Sequence, residues 1–196
     1  MSLELELDKI LKIKTSGRDD SQSDLVNYPY EATSYNVLQE LANSGYITKA
    51  DKLIDFGSGK GRVDFYLAYY TKTKMIGVEY DIRLYNTSME NHKKAISSGR
   101  VEFVNINAKD YIIPSDVTGA YSFNPFSTLI LKDVLKNLYN SKLENNREIK
   151  LFFYYPSKEY LQLLDNEINL THVEDIDLKH LFKNNDKREI IAVYKM

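Results

Sequence analysis

Short apolar runs alternate with segments of helical period from Lys52 to Leu164, and this alternation constrains the fold more than any other feature of the chain. KLIDF leads into the amphipathic RVDFYLAYY. KMIGVE leads into a stripe of Ile82, Tyr85, Met89 and Ile96 that Asp81 caps and Gly99 closes. VEFVNI and GAYSFNPF follow, the latter broken at Asn124-Pro125 because proline removes a ladder donor. Ser127 is placed to cap STLILKDVLKNLYN, whose Leu131, Val134, Leu135 and Leu138 share a face, and IKLFFYYP is succeeded by a short helix from Ser157 to Leu164. Parallel strands need crossover connections, so the pattern predicts an α/β, mostly parallel sheet with helices on both faces. NLTHVE and REIIAVYKM, joined by the polar LKHLFKNNDK, read as antiparallel neighbours at its C-terminal edge.

Ahead of this unit, Val37, Leu38, Leu41 and Ala42 form one helical face, with Thr33 or Ser34 as cap and Gly45 as terminator. Residues 3–14 alternate loosely between apolar and charged and lead into the polar SGRDDSQSD, so residues 1–24 are expected to form a flexible arm or lid on a single domain spanning 1–196. The start of the chain lacks the basic and apolar segments of a secretory signal, and no apolar run is long enough to span a bilayer, which points to the cytoplasm. The absence of cysteine removes disulfides, thiolate metal sites and thiol nucleophiles. His92, His172 and His180 form no ligand pair, so no metal is expected. A net charge of -2 offers no bulk field for nucleic acid or an anionic membrane.

The 196 residues hold 8 glycines, and Gly57, Gly59 and Gly61 fall within the stretch LIDFGSGKGR. A glycine turn leaving the first strand of such a sheet lies at the carboxyl ends of the strands, where open α/β folds bind ligands, and it reads as a nucleotide-type cradle. Spacing discriminates among nucleotides. Lys60 is followed by Gly61 rather than Ser or Thr, which disfavours a Walker loop, and Arg62 occupies the third glycine position of a dinucleotide fingerprint. Glu79 ends the second strand 22 positions after Gly57, where an acidic side chain can accept both hydroxyls of a ribose.

The pattern Asp55, Gly57, Gly59, Gly61 resembles motif I of the class I S-adenosylmethionine-dependent methyltransferases, and the likeness continues along most of the chain. The resemblance implies a Rossmann-like seven-stranded sheet. It implies that the loop, with Ser58, wraps the methionine part of S-adenosylmethionine, that Asp55 serves its amino group, and that Glu79 and Tyr80 hold the ribose side. Asn107 and Ala108 fall where a polar side chain and an amide contact adenine. Asn124-Pro125-Phe126 resembles the [DNS]-P-P-[YF] motif of amino-group methyltransferases with one proline missing. By that likeness Asn124 and the Pro125 carbonyl orient the acceptor, while Phe126 and Tyr155 shape its pocket. YPYEATSY resembles an aromatic segment folding over the cofactor, with Tyr30, Glu31 and Thr33 as contacts.

The implied activity is methyl transfer, with an amine nitrogen preferred over oxygen and a protein or small molecule preferred over nucleic acid as acceptor. Two alternatives remain open: a non-catalytic cofactor-binding module with a protein partner, and an oxidoreductase using NAD(H) or NADP(H). The blander readings are a strand terminator for Asn124-Pro125, packing for Tyr28, Tyr30 and Tyr155, helix-face or surface positions for the histidines, and a solvated loop for the charged KLENNREIK.

Overall fold

The structure, a computed structural model, describes residues 2–17, 31–184 and 186–196. The apolar runs form β1 (Lys52–Phe56), β2 (Lys74–Glu79), β3 (Val101–Asn105), β4 (Gly119–Ser122), β5 (Lys150–Tyr154), β6 (Thr171–Asp177) and β7 (Ile190–Lys195). These pair as one seven-stranded sheet in the order β3-β2-β1-β4-β5-β7-β6. Strands β1 to β6 run in one sense and β7 is antiparallel to both of its neighbours. The fold is the Rossmann-like α/β arrangement expected.

Side-chain alternation along the strands divides the core into two layers. Ile54, Phe56, Ile76 and Val78 face α5 (Thr128–Glu144) and α6 (Lys158–Asn166). Leu53, Met75, Tyr121 and Phe152 face α1 (Leu3–Leu11), α2 (Tyr35–Asn43) and α3 (Arg62–Tyr70). Helix α4 (Ile82–His92) lies against β2 and β3. Asp81 caps α4 by accepting the Arg83 amide at 2.8 Å, and Ser157 caps α6 by accepting the Tyr160 amide at 3.2 Å. Ser127 stands at the N-cap of α5, but its buried hydroxyl forms no cap bond.

Three sequence expectations need correction. The segment read as a flexible arm carries α1, whose Leu11 is fully buried and is followed by buried Ile13. It docks through a carboxylate as well as apolar side chains, since Asp8 is only 5% exposed and accepts from the Thr15 amide and hydroxyl and from the Tyr35 hydroxyl. Helix α4 stops at His92 rather than running through Ile96, which is 43% exposed. Within its last turn, the buried Asn91 side chain ties the helix to the carbonyls of Lys14 and Lys60. KLENNREIK is not a purely solvated loop: the Arg147 guanidinium donates to the carbonyls of Val117, Ser141, Asn145 and Pro114.

Candidate functional site

The strand order reverses between β1 and β4, which opens a crevice at their carboxyl ends. The glycine loop leaves β1 there and the Asn124-Pro125 turn leaves β4 beside it. Gly57, Gly59 and Gly61 adopt φ of 77°, 56° and 84°, a region that other residues enter at a cost. Two of these glycines are also demanded by the protein's own packing. A Cβ on Gly57 would lie 2.3 Å from Cβ of Pro125, and one on Gly61 would lie 2.5 Å from the Phe103 ring. Gly77, in β2, admits the same ring and the Ser58 hydroxyl.

The loop amides are turned inward. Gly57 and Ser58 donate to the Val78 carbonyl at 2.9 and 3.2 Å, Gly61 donates to Ser58 at 2.8 Å, and Gly59 donates to Oε2 of Glu79 at 2.8 Å. A phosphate cradle keeps such donors for its ligand. Here main-chain carbonyls and, for Gly59, the Glu79 carboxylate already take them, so the loop is poorly suited to a pyrophosphate.

Carboxylates dominate the floor of the crevice. Glu79 is 8% exposed and holds the Gly59 and Asp81 amides, the latter at 2.8 Å through Oε1. Burial raises its pKa against the pull of these amides. Asp55 is 3% exposed, and burial, with the charge of Glu79 adding to it, pushes its carboxyl up to about 7. Asp64, in the first turn of α3, is fully buried against Asp55, and burial followed by the Asp55 charge drives its pKa well above the carboxylate range. The Ser58 hydroxyl is buried with no hydrogen-bond partner among the described residues. This donor set, with buried carboxylates at the ends of two adjacent strands, fits a ligand that carries positive charge and hydroxyls.

Arg62, which follows the last loop glycine, is 4% exposed and anchors the N-terminal segment. Its guanidinium donates to Oγ1 of Thr15 at 2.7 Å, to the Glu4 carboxylate, to the Thr33 carbonyl at 3.1 Å and to Oγ of Ser16 at 3.3 Å. It also lies 4.5 Å over the Tyr35 ring and 3.9 Å from the Asp8 carboxylate. Lys60 donates to the Ser16 carbonyl at 3.3 Å. The strap formed by residues 14–17 is thereby fastened to the glycine loop. Sequence reasoning missed Arg62, Asp8 and Asp64; for Arg62 and Asp64 the available signal was that charged residues open the otherwise apolar α3.

Among the remaining sequence-predicted cofactor contacts, Tyr80 follows Glu79 and is 58% exposed at the crevice. Asn107 accepts the Lys109 amide at 3.2 Å in the turn after β3, and Ala108 is buried beneath it. Asn105, not singled out from sequence, donates to the carbonyls of Glu79 and Tyr80 at 2.8 and 3.0 Å and so fixes the end of β2. Thr33 is buried and its hydroxyl meets the Tyr121 hydroxyl at 2.9 Å, which makes it an internal polar contact rather than an open donor. Tyr28 and Tyr30 lie outside the described residues.

At the acceptor side, the structure brings Asn124, Pro125 and Tyr155 together and removes Phe126. Asn124 and Tyr155 take φ of 41° and 51° at the ends of β4 and β5, and the Asn124 amide donates to the Tyr155 carbonyl. The Tyr155 hydroxyl donates to Asp186 at 2.6 Å and accepts from Arg188 at 2.6 Å, and the Arg188 guanidinium lies 4.2 Å over the ring. Phe126, expected to stack on an acceptor, is 4% exposed. Its ring packs edge-on against Phe56, with centroids 6.5 Å apart, and its carbonyl receives the Tyr160 hydroxyl at 2.6 Å. It is a core side chain. The histidines make local contacts: His92 with the Val101 carbonyl, His172 with Asp175 and His180 with Glu40. Among the described residues no group of three or more His, Asp or Glu could hold a metal ion, and no helix is long and apolar enough to cross a membrane.

No protein-family model matches the chain, and no curated protein sequence matches it. Solved structures do. An RNA methyltransferase from Salinibacter ruber in complex with S-adenosyl-L-homocysteine is 20% identical, with 84% of this chain and 92% of that chain covered, at a TM-score of 0.56. A geranyl diphosphate C-methyltransferase from Streptomyces coelicolor, bound to Mg2+, geranyl diphosphate and S-adenosyl-L-homocysteine, is 15% identical over 82% and 76% of the two chains, at 0.56. A protein of the NADB-Rossmann superfamily from Streptococcus agalactiae is 17% identical over 84% and 69%, at 0.61. These likenesses establish a fold shared with S-adenosylmethionine-dependent methyltransferases.

Proposed function

We propose that this chain is a methyltransferase that binds S-adenosylmethionine in the crevice between the ends of β1, β2 and β4. The observation that carries the reading is electrostatic. Buried Asp55 and Glu79 flank a glycine loop whose amides are spent on the protein's own acceptors, which favours a cationic ligand over a dinucleotide bearing two phosphates. Asp55 would receive the cofactor ammonium and Glu79 the ribose hydroxyls, with Gly57, Ser58, Gly59 and Gly61 lining the methionine part and Tyr80, Asn107 and Ala108 the adenosine part. Thr33 supports that wall from within. When bound, the cofactor supplies an electrophilic methyl group on its sulfonium.

Methyl transfer is an in-line displacement, so the protein's task is alignment and exclusion of water. Asn124 has its amide nitrogen committed to Tyr155, which leaves its Oδ1 and the Pro125 carbonyl as acceptors for the hydrogens of an amine. Tyr155 would form the wall opposite. A protein or small-molecule acceptor and a cytoplasmic location complete the proposal. The commitment of Asn124 and the burial of Phe126 also favour a second reading, a cofactor-binding module without turnover.

Isothermal titration with S-adenosylmethionine and S-adenosylhomocysteine, against NAD(H) and NADP(H), tests the cofactor. Saturable binding of the first pair is expected. Binding of a dinucleotide alone would replace the methyl-transfer reading with an oxidoreductase. Binding of the sulfonium cofactor, with no transfer to any amine, hydroxyl or carbon acceptor in a broad screen, would favour the module.

A further inference from the structure

Asp64 has no part in the cofactor contacts above, and its environment is unusual. Its side chain is fully buried in the first turn of α3, and neither carboxylate oxygen meets a hydrogen-bond donor among the described residues. An ionised carboxylate left without a donor in such a place is costly enough that the group takes up a proton instead. The neighbour within hydrogen-bonding contact is the carboxyl group of Asp55. Two carboxyl groups that touch in a water-excluded site share a proton, because like charges at that separation cannot both persist.

We infer that Asp64 is a neutral carboxylic acid that donates its proton to Asp55, and that it is thereby a positioning residue holding Asp55 as a singly charged receiver for the cofactor's ammonium. The inference rests on the methyltransferase reading for its ligand but not for its chemistry. Asp55 sits at the middle of the sheet, in register with Gly77 and Tyr121, so its orientation depends on few groups. Asp64 faces it from α3, the Glu79 charge acts on it from β2, and the Tyr121 phenol adjoins it from β4. Of these, Asp64 alone touches it as a hydrogen-bonding carboxyl. The raised pKa values of both aspartates agree with a pair that carries one proton above about pH 7 and two below it. A ligand cation selects the singly protonated pair, so its affinity weakens as pH falls through that range.

The experiment compares the full chain with Asp64→Asn and Asp64→Leu. Asparagine keeps a neutral donor toward Asp55, whereas leucine keeps volume without one. Infrared difference spectra at pH 8 should contain a carboxylic-acid carbonyl band in the native protein that the asparagine variant loses. Titration with S-adenosylhomocysteine at the same pH should give an affinity within about threefold of native for the asparagine variant and a loss of at least about tenfold for the leucine variant. The pH midpoint of binding should stay put in the first and rise in the second. Absence of the band in the native protein, equal weakening in both variants, or unchanged binding in both would overturn the inference. If the band behaves as expected while even the native protein binds neither S-adenosylmethionine nor S-adenosylhomocysteine, the shared proton stands and the methyltransferase reading falls.

Discussion

The ends of β1 and β2 and the ends of β4 and β5 face the same crevice but reach their shapes by opposite means. At β1, the chain turns through positive φ on Gly57, Gly59 and Gly61, which adopt it without steric cost. At β4 and β5 it does so on Asn124 and Tyr155, where a non-glycine residue stores strain of about 1–3 kcal/mol, least for asparagine. The first half is therefore built to let main chain and ring pack closely, and it is braced from outside by the buried Arg62. The second keeps two side chains fixed at the price of backbone strain, as a surface that must aim atoms at an acceptor would. Cofactor binding and acceptor positioning should accordingly respond to different substitutions.

The largest expected effect tests the brace. Arg62→Met retains the stem of the side chain but leaves Asp8 and Glu4 without their cation, and removal of one partner from a buried ionic network costs about 3–5 kcal/mol. Chemical denaturation should report that loss. Limited proteolysis should cut the segment preceding α2 faster, and cofactor affinity should fall with it. A cost below about 1 kcal/mol would mean that the strap behaves as a solvated surface contact.

A smaller effect follows from Asp55 and has a defined sign. Its folded-state pKa of about 7 exceeds the ordinary 3.8, so the folded chain holds a proton that the unfolded chain releases. The stability from this group is present in full below pH 3.8 and is lost as pH rises through about 7. Other carboxylates, such as Asp51 and Asp81, are shifted downward and oppose this trend, so the difference between native protein and Asp55→Asn is the quantity to follow. Urea midpoints measured from pH 5 to 8 should show the variant gaining on the native protein as pH rises, while its cofactor affinity falls. A difference that does not change with pH would place Asp55 in a more hydrated setting than its burial indicates.

The same contrast explains what the sequence disclosed. Strand and helix order, the β1 loop and Glu79 were legible because they depend on local signals: apolar period, glycine spacing and an acidic residue at a strand end. Helix α3 occupies the residues read as RVDFYLAYY. Helix α1 was not legible, because its inward face includes Asp8, and binary patterning treats a charge as outward-facing. Phe126 was misplaced for a related reason: the dipeptide beside it signals a turn, but the ring's direction depends on Phe56 and Tyr160, which are distant in sequence. Arg62 and Asp64 show as single charges in a helix, and only the tertiary fold reveals that both are buried.

The smallest effect on stability should be the most informative about function. Asn124→Gly places a residue that tolerates φ of 41° at the end of β4, while deleting the amide that holds the Tyr155 carbonyl. Relief of strain and loss of one hydrogen bond are each about 1 kcal/mol and of opposite sign, so the stability change should stay within about 1 kcal/mol. Cofactor affinity should stay within about twofold, because the β1 and β2 contacts are untouched, and turnover on an identified acceptor should drop at least about tenfold through misalignment. Titration calorimetry and a transfer assay on one preparation separate the two quantities. If affinity falls as far as turnover, the halves of the crevice are mechanically coupled through Pro125, whose side chain already rests on Gly57. If neither changes, the strained turn positions nothing, and the second half of the crevice loses its claim to the acceptor.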